Sequence, residues 1–167
     1  NLLAVMDQPT DAQGRLELAQ ASTMAGIAFS NSMVGMVHAL GHSVGAVCHL
    51  PHGMCMSILL PAVLDYNMET NGARVGELLL PLAGAEVYAA TPVSQRPARA
   101  VQTIRLLRDN LYTRCQLPRT LQETGKVTQD QLPHIADLAI NDGSIIFNPK
   151  ESDRAELLAV LNAAWAR

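Results

Sequence analysis

Residues 35–61, GMVHALGHSVGAVCHLPHGMCMSILLP, decide how this chain is read. Gly35–Pro61 holds four of the five histidines and two of the three cysteines, so any chemistry the chain carries centres here. His38 and His42 are four residues apart, and on a helix both rings leave the same face, one turn apart. Pro51-His52-Gly53 follows, where a proline ends the preceding element and a glycine relaxes the backbone. An apolar run from Met54 to Leu60 resumes after it. Two imidazoles on one helical face and a third on a nearby turn are placed to converge on one divalent metal. The pair is not a zincin motif, because Ala39 stands where that motif needs its general-base glutamate. Small residues, Gly35, Ala39, Gly41, Ser43, Gly45 and Ala46, fill the gaps between the histidines. Glycine inside a helix costs stability, so this many imply close approach by another helix or a ligand. Spacing and composition alone support a metal or ligand site, and leave packed or surface histidines as the plain alternative.

Length and composition bound the class. A chain of 167 residues suffices for one domain with its own core. Apolar residues make up 49% and aromatics 4%, with Leu, Ala, Val and Met leading, the composition of a helical bundle. The formal net charge of −3 and the lack of any basic run argue against a nucleic-acid or anionic-membrane partner. Cys48, Cys55 and Cys115 are odd in number and form no CxxC, which suggests reduced thiols and a cytoplasmic protein. No apolar run reaches membrane-spanning length.

Periodicity predicts helices throughout. Thr10-Asp11-Ala12-Gln13 has capping-box spacing and opens a largely buried helix to about Phe29, with Leu16, Leu18, Met24 and Ile27 inward. The His38/His42 helix runs to about Val47, and His52 opens the next, to about Tyr66, which Pro61 kinks or restarts. His49 lies in the turn between them and reads as a solvent or hydrogen-bonding residue. Gly72–Ala85 forms a helix with Val75, Leu78, Leu79 and Leu82 inward, and Ala89–Pro97 a loop. Ala98–Arg114 carries a clear stripe, Val101, Ile104, Leu107 and Leu111, with Arg99, Arg105, Arg108 and Arg114 as a solvated face. A short helix near Thr120–Glu123 stops at Gly125, and a second capping box at Thr128 opens a helix through Ile140, with His134 on its surface. Asn141–Lys150 is turn-rich with a hydrophobic anchor, and Ser152 caps a last helix, Asp153–Trp165. No strand signal or repeat stands out. The expected fold is all-α, one helical domain over residues 1–167.

The quoted stretch also resembles the second signature of the iron-containing (group III) alcohol dehydrogenases, G-x-x-H-x-x-x-H-x-x-G followed by a P-H-G turn and an apolar helix. Gly35, His38, His42, Gly45, Pro51, His52 and Gly53 match in register, and the likeness continues through Leu59-Leu60-Pro61, Tyr66-Asn67, Asp142-Gly143-Ser144, Asn148-Pro149-Lys150 and Ala164-Trp165. It implies the C-terminal helical metal-binding domain of a dehydroquinate-synthase-like fold, whose α/β dinucleotide-binding domain precedes it. No part of these 167 residues reads as that segment, and Asn1 to Met6 reads like the tail of a helix, so the chain is expected to be a fragment.

The resemblance implies a metal held by an aspartate and three histidines. His38 and His52 would be the last two of those ligands, with the first two lying upstream of Asn1. His42 would be a proton-handling or orienting group beside them, and Ser144 would face the substrate pocket. The implied activity is metal-dependent, NAD- or NADP-linked interconversion of a small primary alcohol or diol and its aldehyde, by a homo-oligomeric enzyme using iron, with zinc as the alternative. This chain by itself is expected to be inactive. A relative of the maleylacetate reductase or glycerol dehydrogenase kind is the nearest competitor. A non-catalytic helical module is the reading from another class.

Overall fold

Asp11 accepts a hydrogen bond from the Gly14 backbone N–H at 3.1 Å and so starts one of the longest helices of the chain. In this computed structural model residues 1–166 are described; they contain helices and turns and no strand. They fall into two compact units, Asn1–Val34 and the residues from Gly35 onward. The first consists of α1, Leu2–Asp7, and α2, Ala12–Ser32. The prediction of a largely buried α2 does not hold: Leu16, Met24, Ile27 and Phe29 are each more than half exposed. Leu16, Met24 and Ile27 share one face at i, i+8 and i+11, and it is this apolar stripe that stands exposed, with Phe29 on another side.

The second unit is built on α3, Met36–Cys48, and α4, His52–Tyr66. His49 ends α3 in the left-handed conformation, φ 53°, and Pro51 sits at the N-cap of α4, so the reversal between them takes three residues, 49–51. Pro61 does not restart α4, which continues through it with the proline ring buried. Burial of the ring holds it in a helix that its missing N–H, which leaves the Ser57 carbonyl without its intrahelical donor, would otherwise weaken. One turn earlier the Ile58 carbonyl accepts a hydrogen bond from Arg108 Nη1 at 3.2 Å. The same bond corrects the predicted solvated face of the arginine helix, because Arg108 is buried.

The single helix predicted over Gly72–Ala85 is two: α5, Met68–Glu77, and α6, Leu79–Ala90. Asn71 and Gly84 both leave helical backbone geometry within them, and Gly84 has φ 86°. Of the four residues predicted to face inward, Val75 and Leu79 are buried while Leu78 and Leu82 are exposed. The predicted Ala89–Pro97 loop is shorter, because α6 extends to Ala90, a 3-10 turn covers Val93–Gln95, and α7 spans Arg96–Cys115. A 3-10 turn at Gln122–Thr124 ends at Gly125. Thr128 and Gln131 form the predicted capping box ahead of α8, Leu132–Ala139. The last helix, α9, Arg154–Ala163, is capped by Asp153 rather than Ser152. Glu156 N–H donates to Asp153 Oδ1 at 2.8 Å, and Glu156 Oε2 accepts from Asp153 N–H at 3.1 Å.

Helices α3, α4, α8 and α9 share one core, with Met36, Leu40 and Val44 from α3 meeting Ile58, Leu59, Ile135, Leu157 and Leu161. Helices α5 and α6 pack on α7, which also contacts α4. The core therefore fixes the relative placement of α3 and α4, the two helices that carry the histidines of Gly35–Pro61. No helix among the described residues is long and apolar enough to cross a membrane.

Candidate metal centre

Helical spacing brings His38 and His42 to one face of α3, with ring centroids 5.7 Å apart and planes at 74°. His52 is the first residue of α4, and its ring centroid lies 5.3 Å from that of His38 and 5.5 Å from that of His42. The three imidazoles predicted to converge do so. Beside them, a Cβ on Gly41 would fall 1.8 Å from the flexible end of Met56, Cε, and in ordinary contact, 3.4 Å, with Cys55 Cβ of α4, so the glycine leaves room for the Met56 methyl between α3 and α4. His38 is half-buried while His42 and His52 are exposed, so the cluster opens to the surface. His49 and His134 stand apart from it, the one exposed at the end of α3 and the other exposed on α8.

Burial lowers the His38 pKa, and the neighbouring charges of His52 and His42 push it the same way. Its ring is held in the neutral form, the form whose lone pair binds a metal. Imidazole donors suit iron and zinc alike. Among the described residues no group of three or more His, Cys, Asp or Glu side chains is arranged to hold a metal ion unaided. The donor set fits a metal as part of its ligand shell.

One residue near the histidines gives no signal in local sequence. Asp142, a hundred positions beyond His42, brings Oδ2 to 2.9 Å from His42 Nδ1. Its other oxygen, Oδ1, accepts from the Ser144 backbone N–H at 2.8 Å and starts a 3-10 turn over Gly143–Phe147. Ser144, expected in the substrate pocket, is half-buried in this same turn, which packs on α3. Only the Asp-Gly-Ser sequence hints at the capping role; nothing local points to the histidine.

The turn is pinned at its far end. Asn148 and Asn67 exchange side-chain amide hydrogen bonds at 2.8 and 3.1 Å. Asn148 Oδ1 also accepts from the Met36 N–H at 3.3 Å, and its Nδ2 donates to the Lys150 carbonyl at 2.7 Å. A Cβ on Gly35 would come within 3.3 Å of the Asn148 Cα, so the glycine lets this segment close against the start of α3. Next to it Tyr66 donates to the Glu151 carbonyl at 2.9 Å. Burial first, and then the Glu156 carboxylate, push its phenol up to about 12.

Burial raises the Asp142 pKa, but the Ser144 backbone N–H, the Ser144 side chain and then His42 outweigh it, leaving the carboxyl below its ordinary value. The sign of the linkage follows: the stability this ionised carboxylate contributes is present above the ordinary carboxylate range and is lost as pH falls through the depressed folded value. Replacing Asp142 by Asn therefore flattens the fall of the urea midpoint between about pH 5 and pH 3. An unchanged slope in the variant would show that Asp142 titrates alike in the folded and unfolded chains.

Known proteins resemble this chain over nearly its whole length. The family profile described as "Fe-containing alcohol dehydrogenase family, C-terminal" matches residues 1–165. Alcohol dehydrogenase 4 of Saccharomyces cerevisiae is 30% identical over 167 residues, which are 99% of this chain and 40% of the yeast protein. The 1,3-propanediol dehydrogenase of Klebsiella pneumoniae is 28% identical over 165 residues, covering 99% of this chain and 41% of that enzyme. A crystal structure of a 1,3-propanediol oxidoreductase superposes with a TM-score of 0.82 at 29% identity, over 93% of this chain and 39% of the other. The chain thus spans about 40% of the length of the curated relatives it matches.

Proposed function

The chain belongs to the iron-containing alcohol dehydrogenase family, whose C-terminal profile it matches over residues 1–165, and from that premise we propose that it is the metal-bearing part of an NAD- or NADP-linked oxidoreductase. The reaction is the interconversion of a small primary alcohol or diol and its aldehyde. The observation that carries this reading is the convergence of His38, His42 and His52, from two helices, within 5.3–5.7 Å of one another. Relatives named for alcohols and a diol, including the yeast alcohol dehydrogenase and the bacterial 1,3-propanediol dehydrogenase, support the substrate class.

His38 and His52 would hold a divalent metal, iron or zinc, completed by an aspartate and a further histidine from outside these 167 residues. A metal there supplies Lewis acidity toward an alcohol oxygen, and a nicotinamide supplies the hydride acceptor. The protein's own work is to present neutral imidazoles and handle a proton. The lowered pKa of His38 supports the first task. His42, beside both rings and bonded to Asp142, supports the second as the proton-handling group. Ser144, on the turn that follows Asp142, faces the substrate side in this reading. The free thiols of Cys48, Cys55 and Cys115 fit a cytoplasmic location.

A chain contributing two of four ligands holds metal weakly and turns over no substrate by itself. The test is an NADH-linked aldehyde reduction assay on the protein as its source gene encodes it, with iron or zinc restored, beside the same assay on residues 1–167 alone. Turnover by the first and none by the second is expected. Alcohol oxidation by residues 1–167 alone would show that the ligand and nucleotide assignments are wrong. No turnover by either would favour the non-catalytic module.

A further inference from the structure

We propose that Asp142 is a positioning residue, whose carboxylate locks His42 in the Nδ1–H tautomer so that Nε2 keeps the lone pair that takes the substrate proton. The proposal rests on the reading of His38, His42 and His52 as the reaction site. It adds the group that decides which nitrogen of His42 can act.

The argument begins with the donor inventory. An ionised carboxylate only accepts hydrogen bonds, and a neutral imidazole has one N–H and one lone pair. With Asp142 Oδ2 at 2.9 Å, the proton of a neutral His42 belongs on Nδ1, and Nε2 is left as the acceptor. A proton acceptor in the reaction must begin in that state. A neutral histidine side chain in water favours the opposite, Nε2–H tautomer, so the protein has to impose this one.

The carboxylate is built to do so. Its two oxygens are divided, Oδ1 to the Ser144 N–H and Oδ2 to His42, so it cannot turn away from the ring without giving up the cap. The Asn67–Asn148 amide pair and the Asn148 bond to the Met36 N–H anchor the other end of the segment to the start of α3. Acceptor and imidazole are therefore both referred to α3. Only His42 of the three clustered histidines has such an ion-pair partner recorded among the described residues.

The tautomer is read directly by long-range proton–nitrogen correlation spectra of the 15N-histidine-labelled protein. Three forms separate positioning from capping. Asp142→Asn has one oxygen, which stays on the Ser144 N–H, and turns its NH2 toward Nδ1, so the turn persists while His42 switches to the Nε2–H tautomer. Asp142→Ser is too short to reach the ring yet can still cap the turn through Ser144, so His42 reverts to a mixture dominated by Nε2–H. An unchanged tautomer in Asp142→Ser, or a wild-type His42 already carrying its proton on Nε2, overturns the proposal.

In the full-length, metal-loaded enzyme, Asp142→Ser lowers kcat by at least about tenfold with a smaller change in KM and no change in metal content. Asp142→Asn lowers kcat at least as much, because it holds His42 in the wrong tautomer with the turn intact. A fall in metal content with an unchanged tautomer would make Asp142 a purely structural cap. A full-length wild-type protein without activity removes the dehydrogenase reading, and the tautomer comparison still decides the role of Asp142.

Discussion

Replacing His52 by alanine in the full-length protein should abolish retention of the divalent metal proposed to bind there while leaving the fold intact. The two effects separate because of where His52 sits. It is exposed at the first position of α4, directly after the Pro51 N-cap, and lies outside the buried core. Alanine is the best helix former, Pro51 still opens the helix, and no buried contact is lost. The change in folding stability should then stay within about 0.5 kcal/mol, as for other surface substitutions. Metal binding has no such cushion. Altering a group that merely orients a ligand costs about 10–100-fold in metal affinity, so deleting the ligand itself costs more. Metal analysis after dialysis, paired with a thermal melt in the presence of chelator, measures both quantities on one sample. An apoprotein with an unaltered melt is the expected result. Retained metal together with full activity would remove His52 from the ligand set.

The neighbouring histidine gives the contrast. His42 lies as near His52 as His38 does, with centroids 5.5 and 5.3 Å apart, so ring distance alone does not distinguish a ligand from a proton carrier. The bond to Asp142 does bear on it, because it ties His42 Nδ1 to a carboxylate and gives that ring a partner other than its two neighbours. In the proposed arrangement His52→Ala empties the site, whereas His42→Ala leaves the metal and removes the proton path.

How much of this was legible in the sequence depends on the range of the interaction concerned. The histidine face of α3, the Pro51 break and the start of α4 at His52 are consequences of local spacing and backbone chemistry, and they stand where the pattern places them. The cap at Thr128 is equally local, whereas the helix predicted from the Thr10–Gln13 box is capped by Asp11 instead. Asp153 was displaced by one residue because Ser152 and Asp153 are both good cap residues, and the Glu156 partner favours the second.

Where reading failed, packing or a distant group decides. Pro61 stays within α4 with its ring buried, and Arg108 leaves the predicted solvated face to donate to the Ile58 carbonyl, fifty residues back. The division of α5 from α6 at Glu77–Leu79 had no proline to mark it. Asp142 shows the same limit at the site. Its Asp-Gly-Ser setting announces a turn, but its link to His42 crosses a hundred positions. Periodicity says which residues share a face, and is silent on which loop will be folded against it.

Leu40→Ala should destabilise the unit that carries the site by about 2–5 kcal/mol, the largest loss of stability expected from any single substitution considered for α3. Leu40 stands two residues after His38 and two before His42. At 3.6 residues per turn this puts it on the side of α3 opposite both rings. It is fully buried, in the core that also holds Met36 and Val44 of its own helix and Leu59, Ile135 and Leu157 from three others. Truncating it removes apolar contacts and leaves a cavity that four mutually packed helices cannot readily close. Set against a typical total of about 5–15 kcal/mol, the loss is a large fraction of what keeps α3 seated. A urea titration followed by circular dichroism reads it as a lower midpoint at unchanged slope. The same experiment on His42→Ala, whose ring is exposed, should move the midpoint far less. If Leu40→Ala costs under about 1 kcal/mol, α3 is not held by this core, and the convergence of His38, His42 and His52 would need another support.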